Sequence, residues 1–558
     1  MTDYPYDLGS YSCPVTTTSP QAQIWFDRGL NWTYGYNHEE AVVCFRRALE
    51  HDPDCAMAYW GIAYAAGPNY NMPWHLYDER SRAEALATAF DATQEALARV
   101  EGLTPPEQAL IRTLTARYPQ RTLIDDMEPW NRAYVEVMRT ALRAHPDHMD
   151  IRSVAVEAMM NLTPWLMWDL PNACPAEGAL TLEAQALLEE ALNGQPGAMR
   201  HPGLLHLYVH LMEMSPFPEK ALKAADVLRT LVPDAGHLVH MPTHIDVLCG
   251  NYHDVVHWNE AAIKADLKYY EREGALNFYM GYRLHDYHFV IYGALFLGQM
   301  QPALDAVQGM FDTVPEEALR IESPPMADYF EAYMAMKPHV LVRFGRWQEC
   351  IDAPLPEDRE LWKTLTANTL YARALGHAAL GQVAEAEAAE QEFLQAAALV
   401  PEARLLHNNT VRDLLEVAKA MLRGEIEYRK ANYEVAFADL RRAVALEDNL
   451  PYDEPWGWMQ PVRHALGALL FEQGHVAEAE QAYREDLGLG GQLSRATVHP
   501  DNVWSLKGLH DCLQKKGDSE ELRQIKLRLD LALARADRAV GASCFCAQAA
   551  MKACCAAK

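Results

Sequence analysis

Long apolar runs are missing from this 558-residue chain: its hydrophobic stretches are short and broken by charge, far from the roughly 20 consecutive apolar residues of a spanning helix. The first residues, MTDYPYDLGSYS (Met1–Ser12), have neither the basic start nor the apolar stretch of a secretory leader. The expectation is a cytoplasmic protein without membrane association. Basic residues are the minority, 49 Lys and Arg against 77 Asp and Glu, for a formal net charge of −28. With the acids spread along the chain, nothing offers phosphate backbone a cationic surface, so nucleic acid is excluded as a partner. The eleven cysteines contain no paired CxxC spacing, so neither a zinc ribbon nor a disulfide framework is written here. Cys13, Cys44, Cys55, Cys174, Cys249, Cys350 and Cys512 read as reduced thiols, most of them small core residues. No strand alternation competes with the helical patterns.

What is present is a repeat. Ala22–Asp54, AQIWFDRGLNWTYGYNHEEAVVCFRRALEHDPD, carries Trp25 at position 4, Gly29 at 8, Trp32 at 11, Ala41 at 20, Phe45 at 24, Ala48 at 27 and Pro53 at 32. This resembles the tetratricopeptide consensus without a gap, and physically it is two amphipathic helices with small residues at their crossing. Pro53 stands where the second helix must stop. The loop GPNYNMPW (Gly67–Trp74) then breaks the register; it reads as an inter-helix connection or as the roof of a groove. From Ser81 to Leu192 the period is degenerate, with NLTPWLMWDLP (Asn161–Pro171) a Pro-bounded connection. Periodicity returns later, most clearly where Gly467, Gly474, Ala479 and Tyr483 occupy positions 8, 15, 20 and 24. Ser519–Ala542 reads as a long terminal helix able to cap the array. The predicted fold is all-α, a tetratricopeptide-like helical-repeat superhelix. It comprises an N-terminal extension (1–20), a continuous α-solenoid (21–540) with histidine-rich central repeats at 201–298, and a Cys-rich tail (541–558).

Ten of the 22 histidines lie between His201 and His288. His206 and His240 are 34 residues apart, as are His210 and His244, a tetratricopeptide period. Within each block the pair sits at i, i+4, one face of a helix. Registered on Gly250 and Gly298 as position 15, His237, His240 and His244 fall at 2, 5 and 9, His206 and His210 at 5 and 9, and His285 and His288 at 2 and 5 with Tyr292 at 9. Seven of nine such slots hold histidine, where 22 in 558 would place fewer than one. In the family these positions line the concave surface, so the resemblance implies an imidazole-lined groove. Helices packed about 8–10 Å apart let imidazoles reach a shared ion at roughly 2.0–2.1 Å. Imidazole-only ligation suits copper first, iron or zinc next, and not magnesium or calcium. Tyr292 or Tyr208 could add a phenol. Glu157, Glu213, Asp246 and Asp286 are candidates to orient ring nitrogens. His339 and His464 also fall at inner-face positions. His38, His51, His145, His148, His253, His257, His377 and His475 read as ordinary surface or core residues.

The block HLVHMPTHIDVLCGNY (His237–Tyr252) resembles a group of bacterial and fungal tetratricopeptide-fold proteins with an HxxHMP[ST]HI motif. The likeness extends to NHEEAVVCF, NLTPWLMWD, HLYVH, HDYHF and WMQPVRHALGALL. It implies a shared site at His206, His210, His237, His240, His244, His285 and His288 without supplying a reaction. Pro242 inside the motif predicts a helix kink that swings His244. The tail holds Cys544, Cys546, Cys554 and Cys555, a soft-thiolate set that could bind copper or zinc. The leading expectation is a metal-dependent oxidoreductase acting on a small molecule, because the set lacks the glutamate base of an HExxH hydrolase. Non-catalytic metal storage or delivery, and a scaffold holding a protein partner's peptide in the groove, are the alternatives.

Overall fold

The computed structural model describes residues 4–547. Among them are 27 α-helices and only four strands, each of two residues, so the fold is all-α. Consecutive helices pack as hairpins: Pro20–Tyr34 with His38–His51, Lys363–Ala379 with Val383–Ala398, Val411–Arg429 with Tyr433–Asp448, and Val462–Glu472 with Val476–Asp486.

Two recurring contacts explain why the repeat folds. The first is a glycine pressed against a ring sixteen residues later. A Cβ on Gly29 would stand 2.6 Å from Phe45 Cε1, and one on Gly61 of the next helix would meet the same atom at 2.6 Å. Gly467 and Gly508 enclose Tyr483 in the same manner. Positions 8 and 24 thus form one buried joint. The second is the turn between paired helices. The N–H of Asn37 reaches Trp32 O, Asn251 reaches Asp246 O, Gln299 reaches Ala294 O, Arg346 reaches Leu341 O and His475 reaches Leu470 O, all within 2.9 ± 0.2 Å. This Schellman closure needs a left-handed residue just before the donor. Gly250, Gly298, Gly345 and Gly474 supply it, with φ between +62° and +84°; in the first repeat Tyr36 does, at +56°.

The chain divides into two compact units, one formed by Met1–Ile245 with Ala261–Arg272 and the other by Asp246–Glu260 with Glu273–Lys558. In the first, residues 4–19 have almost no regular secondary structure and are tied down by side chains. Trp32 Nε1 donates to Tyr4 OH at 2.6 Å, Asp7 N to Asp234 Oδ2 at 2.7 Å, Tyr11 OH to Asp150 Oδ1 at 2.7 Å, and Thr16 Oγ1 to Glu107 at 2.6 Å. In the second, the terminal helix is shorter than its sequence pattern predicts, Glu520–Leu533, with Ser519 as its N-cap. The chain leaves the helix because Asp537 caps another: its carboxylate accepts from Met300 N at 2.8 Å and Gln301 N at 2.9 Å. Ser543 then bonds Tyr483 OH at 2.6 Å, and Cys544 and Cys546 are joined as a disulfide. Cys554 and Cys555 lie outside the described residues. No helix among the described residues is long and apolar enough to cross a membrane.

Candidate metal centre

Helix Pro202–Glu213 starts where His201 Nδ1 accepts from Leu204 N at 3.1 Å and Pro202 takes the first turn. Every residue of this helix is buried, so His206 and His210, one turn apart, point into protein. The motif block forms two short helices, Gly236–His240 and Pro242–Leu248, interrupted at Met241. Pro242 has no N–H to continue the first, so the predicted kink is a break. Met241 N closes on His237 O at 2.9 Å and His244 N on Met241 O at 3.1 Å. This tight passage brings the His240 and His244 rings together, edge to face, with centres 4.6 Å apart.

Five imidazoles meet in the first unit. His206 Nε2 is 3.1 Å from His237 Nε2, and His240 Nε2 is 2.7 Å from His244 Nε2. The His210 ring lies 4.7 Å from His206, 6.1 Å from His237 and 6.3 Å from His244, centre to centre. Ligand atoms of His206, His210 and His237 all fall within 4.8 Å of one another. Two nitrogens on one metal at about 2.0–2.1 Å stand roughly 2.9–3.4 Å apart; the His206–His237 approach falls within that range and the His240–His244 approach just below it. The residues present therefore fit a transition metal.

The rings are oriented from behind. His206 Nδ1 donates to Tyr34 O at 2.7 Å, leaving Nε2 as its lone pair. Glu213 is fully buried behind two rings: its Oε1 accepts from His210 Nδ1 at 2.8 Å, and its Oε2 stands 3.0 Å from His244 Nδ1, a charge contact. The bond fixes His210 with Nε2 inward. Burial drives His206 down to about 3, and burial together with the neighbouring imidazoles pushes His237 well below its ordinary range. Both are thereby neutral, the form that binds metal.

Aromatic side chains close over this cluster, and sequence reasoning missed them. The Tyr36 ring lies 4.5 Å from His206, 5.5 Å from His237 and 6.0 Å from His210, the last two nearly parallel. Its signal was legible in hindsight: it fills repeat position 15, where glycine stands elsewhere, and a tyrosine in left-handed backbone is strained. Tyr70, from the loop Gly67–Trp74, lies 4.8 Å from His210 and accepts from Trp165 N at 3.1 Å. The irregular loop Gly67–Trp74 thus ends at the imidazoles. Tyr36 OH donates to Glu157 Oε1 at 3.1 Å, and Tyr64 OH donates to its other oxygen. Burial pushes the Glu157 carboxyl up to about 7.

Tyr208 turns from the cluster and donates to Glu189 at 3.1 Å. His285, His288, Tyr292, Asp246 and Asp286 belong to the second unit. There the His285 ring is 5.4 Å from His407, and His288 Nε2 is 2.9 Å from Met459 Sδ, with burial taking His288 down to about 3. Tyr292 OH donates to His499 Nε2 at 2.9 Å, and His499 Nδ1 donates to Asp486 at 2.7 Å. His464 Nε2 donates to the same carboxylate at 2.9 Å, while Arg343 donates to His464 Nδ1 at 2.9 Å. Asp486 is held below the usual carboxylate range by these imidazoles despite its burial. His339 lies apart, its ring 5.1 Å from Trp458.

No family model matches the chain, and no curated protein matches it. Solved structures that align with it include the APC/C hetero-tetramer Cut9–Hcn1, at 12% identity over 89% of this chain and 76% of that one, with a TM-score of 0.31. Naa15/Naa10 bound to HypK-THB aligns at 13% identity over 92% and 70%, with a TM-score of 0.21. Scores this low carry no argument. The chain's own joints and turns make it an all-α, tetratricopeptide-like helical-repeat protein with a buried imidazole cluster.

Proposed function

We propose that His206, His210, His237, His240 and His244, with Glu213 behind them, bind a transition metal, copper first and iron or zinc next. On this reading the protein is a metal-dependent oxidoreductase acting on a small molecule. The observation that carries it is the pair of Nε2–Nε2 approaches at 3.1 and 2.7 Å, with the His206 ring held from behind by Tyr34 O and Glu213 standing behind His210 and His244. None of the five is more than 2% exposed, which favours a compact ion over a peptide laid along a groove. A metal held there supplies one-electron or Lewis-acid chemistry. The chain's own part is to orient the imidazoles, exclude water with Tyr36 and Tyr70, and hold a proton on Glu157, which titrates near neutrality and passes it to or from Tyr36 OH. The likeness of His237–Tyr252 to the HxxHMP[ST]HI group belongs to the same proposal. That likeness implies His285 and His288 as well; the proposal rests on the five imidazoles of the first unit.

The test is redox turnover. Copper-loaded protein, reduced anaerobically with ascorbate and mixed with oxygenated buffer containing a panel of phenols and amines, should consume oxygen in a substrate-dependent manner. A His240→Ala/His244→Ala variant should not. Tight copper with no oxygen consumption above the variant would replace the enzyme reading with storage or delivery.

A further inference from the structure

A second group of metal-ligating residues lies in the first unit, apart from the imidazoles assigned above. Cys13 comes from the irregular N-terminal segment, His148 is the N-cap of helix Met149–Met160, and Asp150 sits in that helix's first turn. A sulfur, a ring nitrogen and a carboxylate oxygen of these three all lie within 4.8 Å of one another.

The carboxylate is built to present one oxygen to this group. Asp150 is 5% exposed, and three donors converge on its Oδ1: Tyr11 OH at 2.7 Å, Tyr34 OH at 2.7 Å and His201 Nε2 at 3.3 Å. His201 can only donate there, because its Nδ1 is taken by Leu204 N. Oδ2 is left facing the His148 ring, 3.9 Å from an Nδ1 that accepts from Ile151 N at 3.4 Å, a long cap bond that an ion on this nitrogen would replace. Such backing of a ligand by outer hydrogen bonds is typical of metal sites. Cys13 and His148 are half-buried, so solvent and an ion can reach them.

The same residue types could make a thiol nucleophile, and the surroundings decide against it. Burial, Asp150, Asp27 and Glu107 push the Cys13 thiol well up, and burial lowers His148. A field that repels a thiolate attracts a divalent ion, which would displace the thiol proton to solvent and take its place.

We propose that Cys13, His148 and Asp150 form a second site for a divalent cation of the zinc class, stapling the N-terminal segment to helix Met149–Met160. Mixed sulfur, nitrogen and oxygen donors select zinc or a comparable borderline ion over magnesium or calcium. The metal–ligand lengths of about 2.0–2.3 Å ask the three groups to close by less than about 1 Å. The site does not depend on the imidazole cluster.

Cobalt separates the two, because only a thiolate ligand gives a sulfur-to-cobalt charge-transfer band in the near ultraviolet. The reduced full-length chain titrated with cobalt(II) should develop this band to about one equivalent, and zinc should abolish it. The band should vanish in Cys13→Ser and in His148→Ala. It should persist in His206→Ala/His237→Ala and in Cys544→Ser/Cys546→Ser. His201→Ala should weaken cobalt affinity by about 10–100-fold. Zinc should also protect Cys13 of the unmutated chain from iodoacetamide, read by peptide mass spectrometry, a measurement that does not depend on the variants folding. No band in the unmutated chain, a band unchanged by Cys13→Ser, or alkylation of Cys13 indifferent to zinc would overturn the proposal.

Discussion

His206 Nε2 stands 3.1 Å from His237 Nε2, although the two residues are 31 positions apart on separate helices. Neither ring can turn away freely. His206 is pinned by its bond to Tyr34 O, and His237 is fenced by the Tyr36 ring and by His240 5.9 Å beyond it. Two neutral nitrogens are thus held at the edge length of a coordination polyhedron, in a place that burial keeps unprotonated.

Glu213 accepts from His210 Nδ1 and stands 3.0 Å from His244 Nδ1, so its carboxylate should matter to affinity without contributing a bond to the ion. Glu213→Gln keeps the shape and puts an N–H₂ group where one imidazole needs an acceptor. Metal affinity, measured by competition with a chromophoric chelator, should fall about 10–100-fold while the stoichiometry is unchanged.

Tyr36→Phe tests the proton path. The Tyr36 hydroxyl stabilises the Glu157 carboxylate, so removing it should move the Glu157 titration upward from about 7. The protonated-carboxyl stretch in infrared difference spectra should then persist to higher pH. Stability should drop by about 1 kcal/mol for the lost hydrogen bond, and metal stoichiometry should be unaffected.

The repeat joint and the repeat turn should fail differently. Gly29→Ala drives a methyl into the Phe45 ring and should cost about 1–3 kcal/mol by overpacking. Gly474→Ala meets nothing within 4 Å but has φ +84°, so its cost of about 1–2 kcal/mol is conformational alone. Chemical denaturation of both variants checks the contrast: an additional Phe45→Leu change should cost less in the Gly29→Ala background than in the Gly474→Ala background.

The joint at positions 8 and 24 was legible because it is local, a glycine and a ring within one helix pair. So were the histidine pairs, at one helical turn. The centre's other half was hidden for the opposite reason. Tyr36 and Tyr70 lie more than 130 residues before the histidines they cover, in turns that have no period. Reading helix faces cannot see them. Asp486 with His499, and Asp150 with Cys13 and His148, were missed likewise: each joins a helix end to an irregular segment, and only the folded chain puts the pieces side by side.

Acid should destabilise the apo protein in a defined window. Burial takes His38 and His339 down to about 4, against about 6.5 in an unfolded chain. The unfolded state therefore binds more protons between those values, and stability falls as pH drops from about 6.5 towards 4. Urea midpoints measured across that range should decline steadily below pH 6.5. Single His38→Gln and His339→Gln variants should each show a shallower decline.

The most direct test of the centre is elemental analysis of untagged protein purified without chelator, in a Cys13→Ser background that removes the second site. The account predicts about one or two equivalents of copper, iron or zinc, absent from both His206→Ala/His237→Ala and His240→Ala/His244→Ala. No bound metal even after reconstitution, or the same content in those variants, would contradict it.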